Sequence, residues 1–80
     1  MKVTFYGKLA DMIARELDVP AESPCTVAEL RGHIAEAHPG AAQSLEDRRV
    51  RACISGALVP DDHPVESGDE VEFLAPVSGG

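Results

Sequence analysis

The chain contains no tryptophan and only three aromatic residues, Phe5, Tyr6 and Phe73. The volume of any core must therefore come mainly from Val, Leu, Ile and Ala. Its two cysteines, Cys25 and Cys53, lie far apart in sequence and fit no metal-ligand spacing, which excludes a four-cysteine iron–sulfur site. Cysteine is commonly buried as a small hydrophobe, and both read that way, Cys53 within a strand and Cys25 at a helix start. Cations are also scarce: seven Lys and Arg stand against fourteen Asp and Glu, a net charge of −7. Binding to nucleic-acid phosphates needs clustered Lys and Arg. The one basic cluster, Arg48, Arg49 and Arg51, has Glu46 and Asp47 beside it. Nucleic acid and anionic membrane surfaces are thus poor partners, whereas a protein with a basic docking face suits the charge.

No stretch is long and apolar enough to cross a bilayer. The start MKVTFYGK lacks the apolar core of a signal peptide, so a reducing cytoplasm is the expected setting. Catalytic patterns are missing as well. His33, His38 and His63 form no HExxH-type pair, and no glycine-rich loop joins a strand to a helix. Nothing marks a nucleophile, so neither self-contained catalysis nor a bound metal or cofactor is expected.

What remains is one domain of eighty residues, large enough for a single modest core. Residues 2–6 alternate, with Val3 and Phe5 on one face and Lys2, Thr4 and Tyr6 on the other, which predicts a half-buried strand. Leu9, Ile13 and Leu17 recur every four residues with Met12 beside them, predicting a helix over about 8–16. A weaker extended stretch follows over about 17–22 and ends at Ser23-Pro24. Thr26 and Glu29 form a capping-box pattern, and Cys25 and Leu30 occupy the positions of a hydrophobic staple. The helix they open should bury Val27, Leu30, Ile34 and Ala37 and turn Glu29, Arg31, His33 and Glu36 to water. His38-Pro39-Gly40 stops it, and AAQSLED reads as loose or helical.

Val50, Ala52 and Ile54 alternate with Arg51, Cys53 and Ser55 as a strand, turned at Ser55-Gly56 into a short return at 57–59. PDDHPVESGD reads as turn throughout. A last strand over 69–74 directs Val71 and Phe73 inward and Glu70, Glu72 and Leu74 outward. The order is β–α–(β)–α–β–β–β, an α+β domain with a mixed sheet packed on one side by helices. Tyr6, Leu74 and Leu58 point away from the core face. They constitute either an interface patch or scattered surface hydrophobes, which are normal. Asp61, Asp62, Asp69, Glu70 and Glu72 lie near the C-terminal run, as a solvated edge or as a docking site for basic residues.

Residues 1–74 read as the folded domain and 75–80 as a tail ending in Gly79-Gly80. Ala75 precedes a proline and is biased to extended geometry, and Pro76 fixes its own φ. The tail is expected to leave the domain stretched outward on residues without side chains, able to enter a narrow channel. Fraying of a chain end is the plain alternative.

With these elements in place, the chain resembles the MoaD-type sulfur carriers, the small subunits of molybdopterin synthase, within the ubiquitin-like β-grasp superfamily. The resemblance spans essentially all 80 residues. It is carried most specifically by DDHPVESGDEVEFLAPVSGG, and also by TVAELR and VTFYGKLAD. Two departures stand out: Leu74 replaces a common aromatic, and Ala75 replaces the first proline of a pair. The resemblance implies that an activating enzyme with ATP would adenylate the Gly80 carboxylate. A sulfur donor would then convert it to a thiocarboxylate, which supplies the molybdopterin dithiolene inside the large synthase subunit. Pro76, Val77, Ser78 and Gly79 would occupy that subunit's tunnel, and Tyr6, Leu58 and Leu74 would form the docking patch. Two small subunits would sit on a dimer of large ones. The same fold also serves thiamine-pathway sulfur carriers, ubiquitin-like modifiers that conjugate to lysines, and inert interaction domains.

Overall fold

The computed structural model describes residues 1–20 and 25–75. The tail from Pro76 to Gly80 and the predicted stop at Ser23-Pro24 lie outside the described residues. In chain order the elements are β1 (Lys2–Phe5), α1 (Lys8–Met12), β2 (Glu16–Asp18), β3 (Cys25–Thr26) and α2 (Val27–Ala37). They continue with a 3-10 turn (Pro39–Ala41), α3 (Ala42–Glu46), β4 (Arg51–Ile54), β5 (Ala57–Val59), β6 (Pro64–Val65) and β7 (Glu70–Leu74). Five strands form one mixed sheet in the order β2-β1-β7-β4-β5, and β3 pairs with β6 in a second, two-stranded ladder. The α+β expectation holds.

The centre of the sheet joins the two ends of the chain. β1 and β7 run parallel, with Val3 opposite Val71 and Phe5 opposite Phe73. The two phenyl rings stack 5.9 Å apart, so two of the three aromatics lie together at the middle of the core. Cross-strand partners share a face, which sorts the whole sheet. Val3, Phe5, Val71, Phe73, Ala52 and Val59 point inward and are buried, together with Leu30 and Ile34 of α2. Lys2, Thr4, Glu70, Glu72, Cys53 and Leu58 point to the other side. The short turn between β4 and β5 places Ser55 and Gly56 at φ 53° and 81°, the left-handed pair that a two-residue hairpin requires.

The predicted capping box of α2 is present. Glu29 N–H donates to Thr26 Oγ1 at 3.2 Å, and Thr26 N–H donates to Glu29 Oε1 at 3.0 Å. The other first-turn amides are met by the following loop: Val27 N–H donates to the His63 carbonyl and Ala28 N–H to the Asp61 carbonyl, at 3.0 and 2.9 Å. This strap explains why the segment read as turn throughout carries a strand, β6. Its residues align with β3 just before the helix, Val65 opposite Cys25 and Pro64 opposite Thr26.

Four further expectations are corrected. α1 ends at Met12 instead of continuing to residue 16, because Phe5 N–H takes the Arg15 carbonyl and Glu16 must pair with Thr4. Leu17, placed by the four-residue repeat on a helical face, instead lies opposite Val3 in β2. Ala37 is exposed and Ala35 is buried. Arg31, assigned to water, is buried at 8% exposure. Its Nη1 and Nη2 donate to the Leu45 and Val50 carbonyls at 2.6 Å each, and its Nε donates to Asp61 at 3.1 Å. The guanidinium also lies 5.3 Å from the centre of the Phe73 ring.

Replacing Arg31 with Ala strands two buried carbonyls, each hydrogen-bonded to a charged group and so worth more than a neutral pair. The expected loss is about 3–5 kcal/mol, read as a large fall in the urea midpoint. Asp61→Asn, at a carboxylate that is mostly exposed, should shift that midpoint far less. Thr26→Ala should cost about 1 kcal/mol. Equal midpoints for Arg31→Ala and wild type would refute the assigned role of the guanidinium.

Candidate functional site

The helices cover one face of the five-stranded sheet, and the opposite face is open. Along that face, Thr4, Glu72, Cys53 and Leu58 form a single row across β1, β7, β4 and β5. In the next row Leu74 lies opposite Arg51, and Tyr6 follows Phe5 at the end of β1. Of the three predicted patch residues, Leu58 is 58% and Tyr6 48% exposed, while Leu74 is half-buried. All three are on the open face. Neighbouring strands are about 4.8 Å apart, so the row from Glu72 to Leu58 spans roughly 10 Å, the width of one aromatic side chain and its surroundings.

Tyr6 and Glu72 meet at the middle of this patch, where the tyrosine hydroxyl donates to a Glu72 carboxylate oxygen. Sixty-six residues separate the partners, and only the parallel β1–β7 pairing brings them together. The contact raises the Tyr6 pKa, chiefly because the phenolate would lose its hydrogen bond to Glu72, and further through slight desolvation and the negative charge of Glu72. Cys53, the next residue in the row, is buried although it lies on the open face. Alternation along each strand gave the outward direction of Tyr6 and Glu72. Their pairing could not be read from the sequence, since it depends on the register of two strands at opposite ends of the chain.

The acidic residues do not form one site. Asp61 is tied to Arg31 at 3.1 Å beside α2, and Asp69 accepts the Glu66 amide at 2.9 Å. Glu70 and Glu72, with Asp69, Lys2, Thr4 and Ser55, line an open hollow of about 470 Å³ on the exposed sheet face. Lys2 within it is paired with Glu16 at 3.4 Å. The basic cluster is likewise divided: Arg49 binds Asp47 at 3.0 Å and holds its carboxyl down to about 2. His33 is exposed on α2, and His38 caps its C-terminus. Among the described residues no three of His, Cys, Asp and Glu gather as metal ligands would, and no described helix is long and apolar enough to cross a membrane.

What the open face can do is bind. It combines exposed aromatic and aliphatic groups with carboxylates, and it lies at the end of β7, where the chain continues into Ala75 and the Gly-Gly tail. The tail residues Pro76, Val77, Ser78, Gly79 and Gly80, to which the chemistry was assigned, lie outside the described residues.

Comparison with known proteins places this geometry in context. The molybdopterin synthase sulfur carrier subunit of Escherichia coli is 38% identical over 81 residues, covering 100% of this chain and 99% of that protein. SAMP1 from Haloferax volcanii superposes with a TM-score of 0.81 at 22% identity, over 99% of this chain and 97% of its own. Subunits 1 and 2 of the molybdopterin-converting factor from Helicobacter pylori form a complex, of which one chain matches with a TM-score of 0.65 at 22% identity, over 99% and 96%. At these identities the solved structures establish the fold, which is the ubiquitin-like β-grasp. The ThiS family model matches residues 3–80, and with a full-length relative at 38% identity the chain belongs to the ThiS family.

Proposed function

We propose that this chain is the sulfur carrier subunit of a molybdopterin synthase, with Gly80 as the atom-bearing end. The full-length kinship with the Escherichia coli sulfur carrier subunit carries the reading, and the open face beside the start of the tail supports it. The Helicobacter pylori complex supports a larger subunit as the docking partner. Two free cysteines, both buried, suit a reducing cytoplasm.

The chemistry follows from what a carboxylate can do. As an anion it resists nucleophilic attack, so ATP must first convert the Gly80 carboxylate to an acyl-adenylate, releasing pyrophosphate. A persulfide sulfur attacks the acyl carbon and AMP leaves, and a thiol then cleaves the sulfur–sulfur bond to leave the thiocarboxylate. An activating enzyme and a sulfur donor supply these steps. Delivered by a tail of Pro76, Val77, Ser78 and Gly79, the thiocarboxylate gives its sulfur to a pterin held by the large subunit. A dithiolene has two sulfurs, so two charged carriers serve each pterin in turn, and the resemblance implies two small subunits on a dimer of large ones. In this division of labour the chain supplies the sulfur and the fit, while catalytic side chains belong to its partners. ATP is consumed by the activating enzyme, and the chain itself needs no cofactor.

Tyr6, Leu58 and Leu74 form the docking patch in this reading. The exposed Leu58 at its edge should be sensitive to charge. Leu58→Asp is expected to weaken binding to the purified large subunit by more than tenfold, in titration calorimetry, without changing the urea midpoint appreciably. Wild-type affinity for this variant would move docking to another face.

The carrier chemistry is tested by intact mass after incubation with ATP, an activating enzyme of this family and a persulfide donor. The expected result is the gain of one oxygen-to-sulfur exchange, abolished by removal of Gly80. Adding the large subunit and the pterin precursor should then discharge the thiocarboxylate. A charged chain that discharges only to a thiazole-forming system would assign it to thiamine synthesis. Conjugates on a denaturing gel would mark a protein modifier, and an unchanged mass with a demonstrably active enzyme would refute the carrier reading.

A further inference from the structure

The open face carries a charge where a docking surface should be driest. Glu72 lies between Thr4 and Cys53 in the row that ends at Leu58, and its carboxylate receives the hydroxyl of Tyr6. A carboxylate offers about four lone-pair sites, and the tyrosine occupies one. No ion pair among the described residues involves Glu72. Of the cations on this face, Lys2 pairs with Glu16, and Arg51 stands in the neighbouring row opposite Leu74. Water satisfies the remaining sites in the free chain. Covering the patch removes that water, and an ionised carboxylate buried without a compensating donor opposes association.

On the reading that this face docks onto the synthase large subunit, we infer that Glu72 determines partner specificity by requiring a guanidinium or ammonium group opposite the Tyr6–Glu72 pair. A guanidinium fits best, because its planar fork can bind the carboxylate through two parallel hydrogen bonds. The tyrosine hydrogen bond holds the carboxylate in place and leaves a lone pair free on each oxygen, so the pair presents a fixed fork instead of a freely rotating side chain. The net charge of −7 favours encounter with a basic surface of any kind. Glu72 adds position to that general attraction, and a partner with an apolar or acidic group at that point is rejected.

The test measures affinity for the purified large subunit across a series of salt concentrations. Glu72→Gln keeps the shape and removes the charge. Glu36→Gln makes the same charge change on the exposed side of α2. The inference expects Glu72→Gln to weaken binding at least tenfold and to flatten its salt dependence, with Glu36→Gln within twofold of wild type. The chain has one tyrosine and no tryptophan, so absorbance titration reports the pair directly. The tyrosine midpoint should fall in Glu72→Gln. Unchanged affinity in Glu72→Gln, equal losses in the two variants, or an unaltered tyrosine midpoint would each overturn the inference. Leu58→Asp separates the two ideas. If it fails to bind while Glu72→Gln binds normally, only the role of Glu72 falls; if it binds like wild type, the docking face falls and the inference with it.

Discussion

The buried guanidinium of Arg31 is the interaction on which the arrangement of the domain depends. It projects from the middle of α2, the helix that covers the sheet, and reaches three segments distant in sequence: the end of α3, the residue before β4, and the loop at Asp61. Each would otherwise place a backbone or side-chain acceptor at the margin of an apolar core. With few large side chains available, the core is thin, and a stacked Phe5–Phe73 pair forms its centre. The guanidinium lies over the Phe73 ring of that pair, adding a cation above the ring face that aromatic quadrupoles favour. One residue thereby fixes the helix, the connection into β4 and the strap that begins at Asp61.

That fixation has a functional consequence. The strap from Asp61 to Val65 satisfies the first amides of α2 and holds β6 against β3, and the chain then proceeds into β7. Since β7 is the central strand, paired on both sides, the position of its last residue is determined by the whole fold. Leu74 and the start of the tail are thus positioned by a rigid element. On the proposed reading, this anchor fixes the point where the chain leaves the domain relative to the open face beside it.

The sequence was most legible where a local rule sufficed. Alternation identified β1, β4 and β7 and assigned Val71 and Phe73 to the core, and the Thr26–Glu29 pattern located the start of α2. Legibility ended where distant segments compete for the same residues. Leu9, Ile13 and Leu17 satisfy a helical period, yet the edge strand needs Glu16 and Leu17, and sheet pairing prevailed. β6 was hidden in turn-forming residues because its existence depends on the unpaired helix end opposite it. Arg31 follows the solvent side of its helix by periodicity, and its burial reflects carbonyls supplied by segments 14 and 19 residues away. For the candidate site, the outward direction of Tyr6, Leu58 and Leu74 was readable from strand period, and the Gly-Gly end from its composition. The contact between Tyr6 and Glu72 was not, as it joins the two ends of the chain.

A one-sided core also resolves a conflict between stability and exchange. If the same face had to hold the fold together and bind partners, every improvement in one role would constrain the other. Here the inner side chains of the sheet pack against α2 and α3, and the outer ones are released from that duty. The open face can therefore carry groups that would be costly in a core: a carboxylate at its centre, a tyrosine hydroxyl and an exposed leucine. On the proposed reading the chain must be charged by one protein and discharged by another, so its contacts must form quickly and also release. A small apolar patch interrupted by charge suits this better than a continuous hydrophobic surface, since electrostatic complementarity speeds encounter and excludes wrong partners more than it prolongs a complex. Shortage of aromatic residues and excess of carboxylates, the two limits evident in the composition, are then consistent with a single requirement, a stable domain that binds without remaining bound.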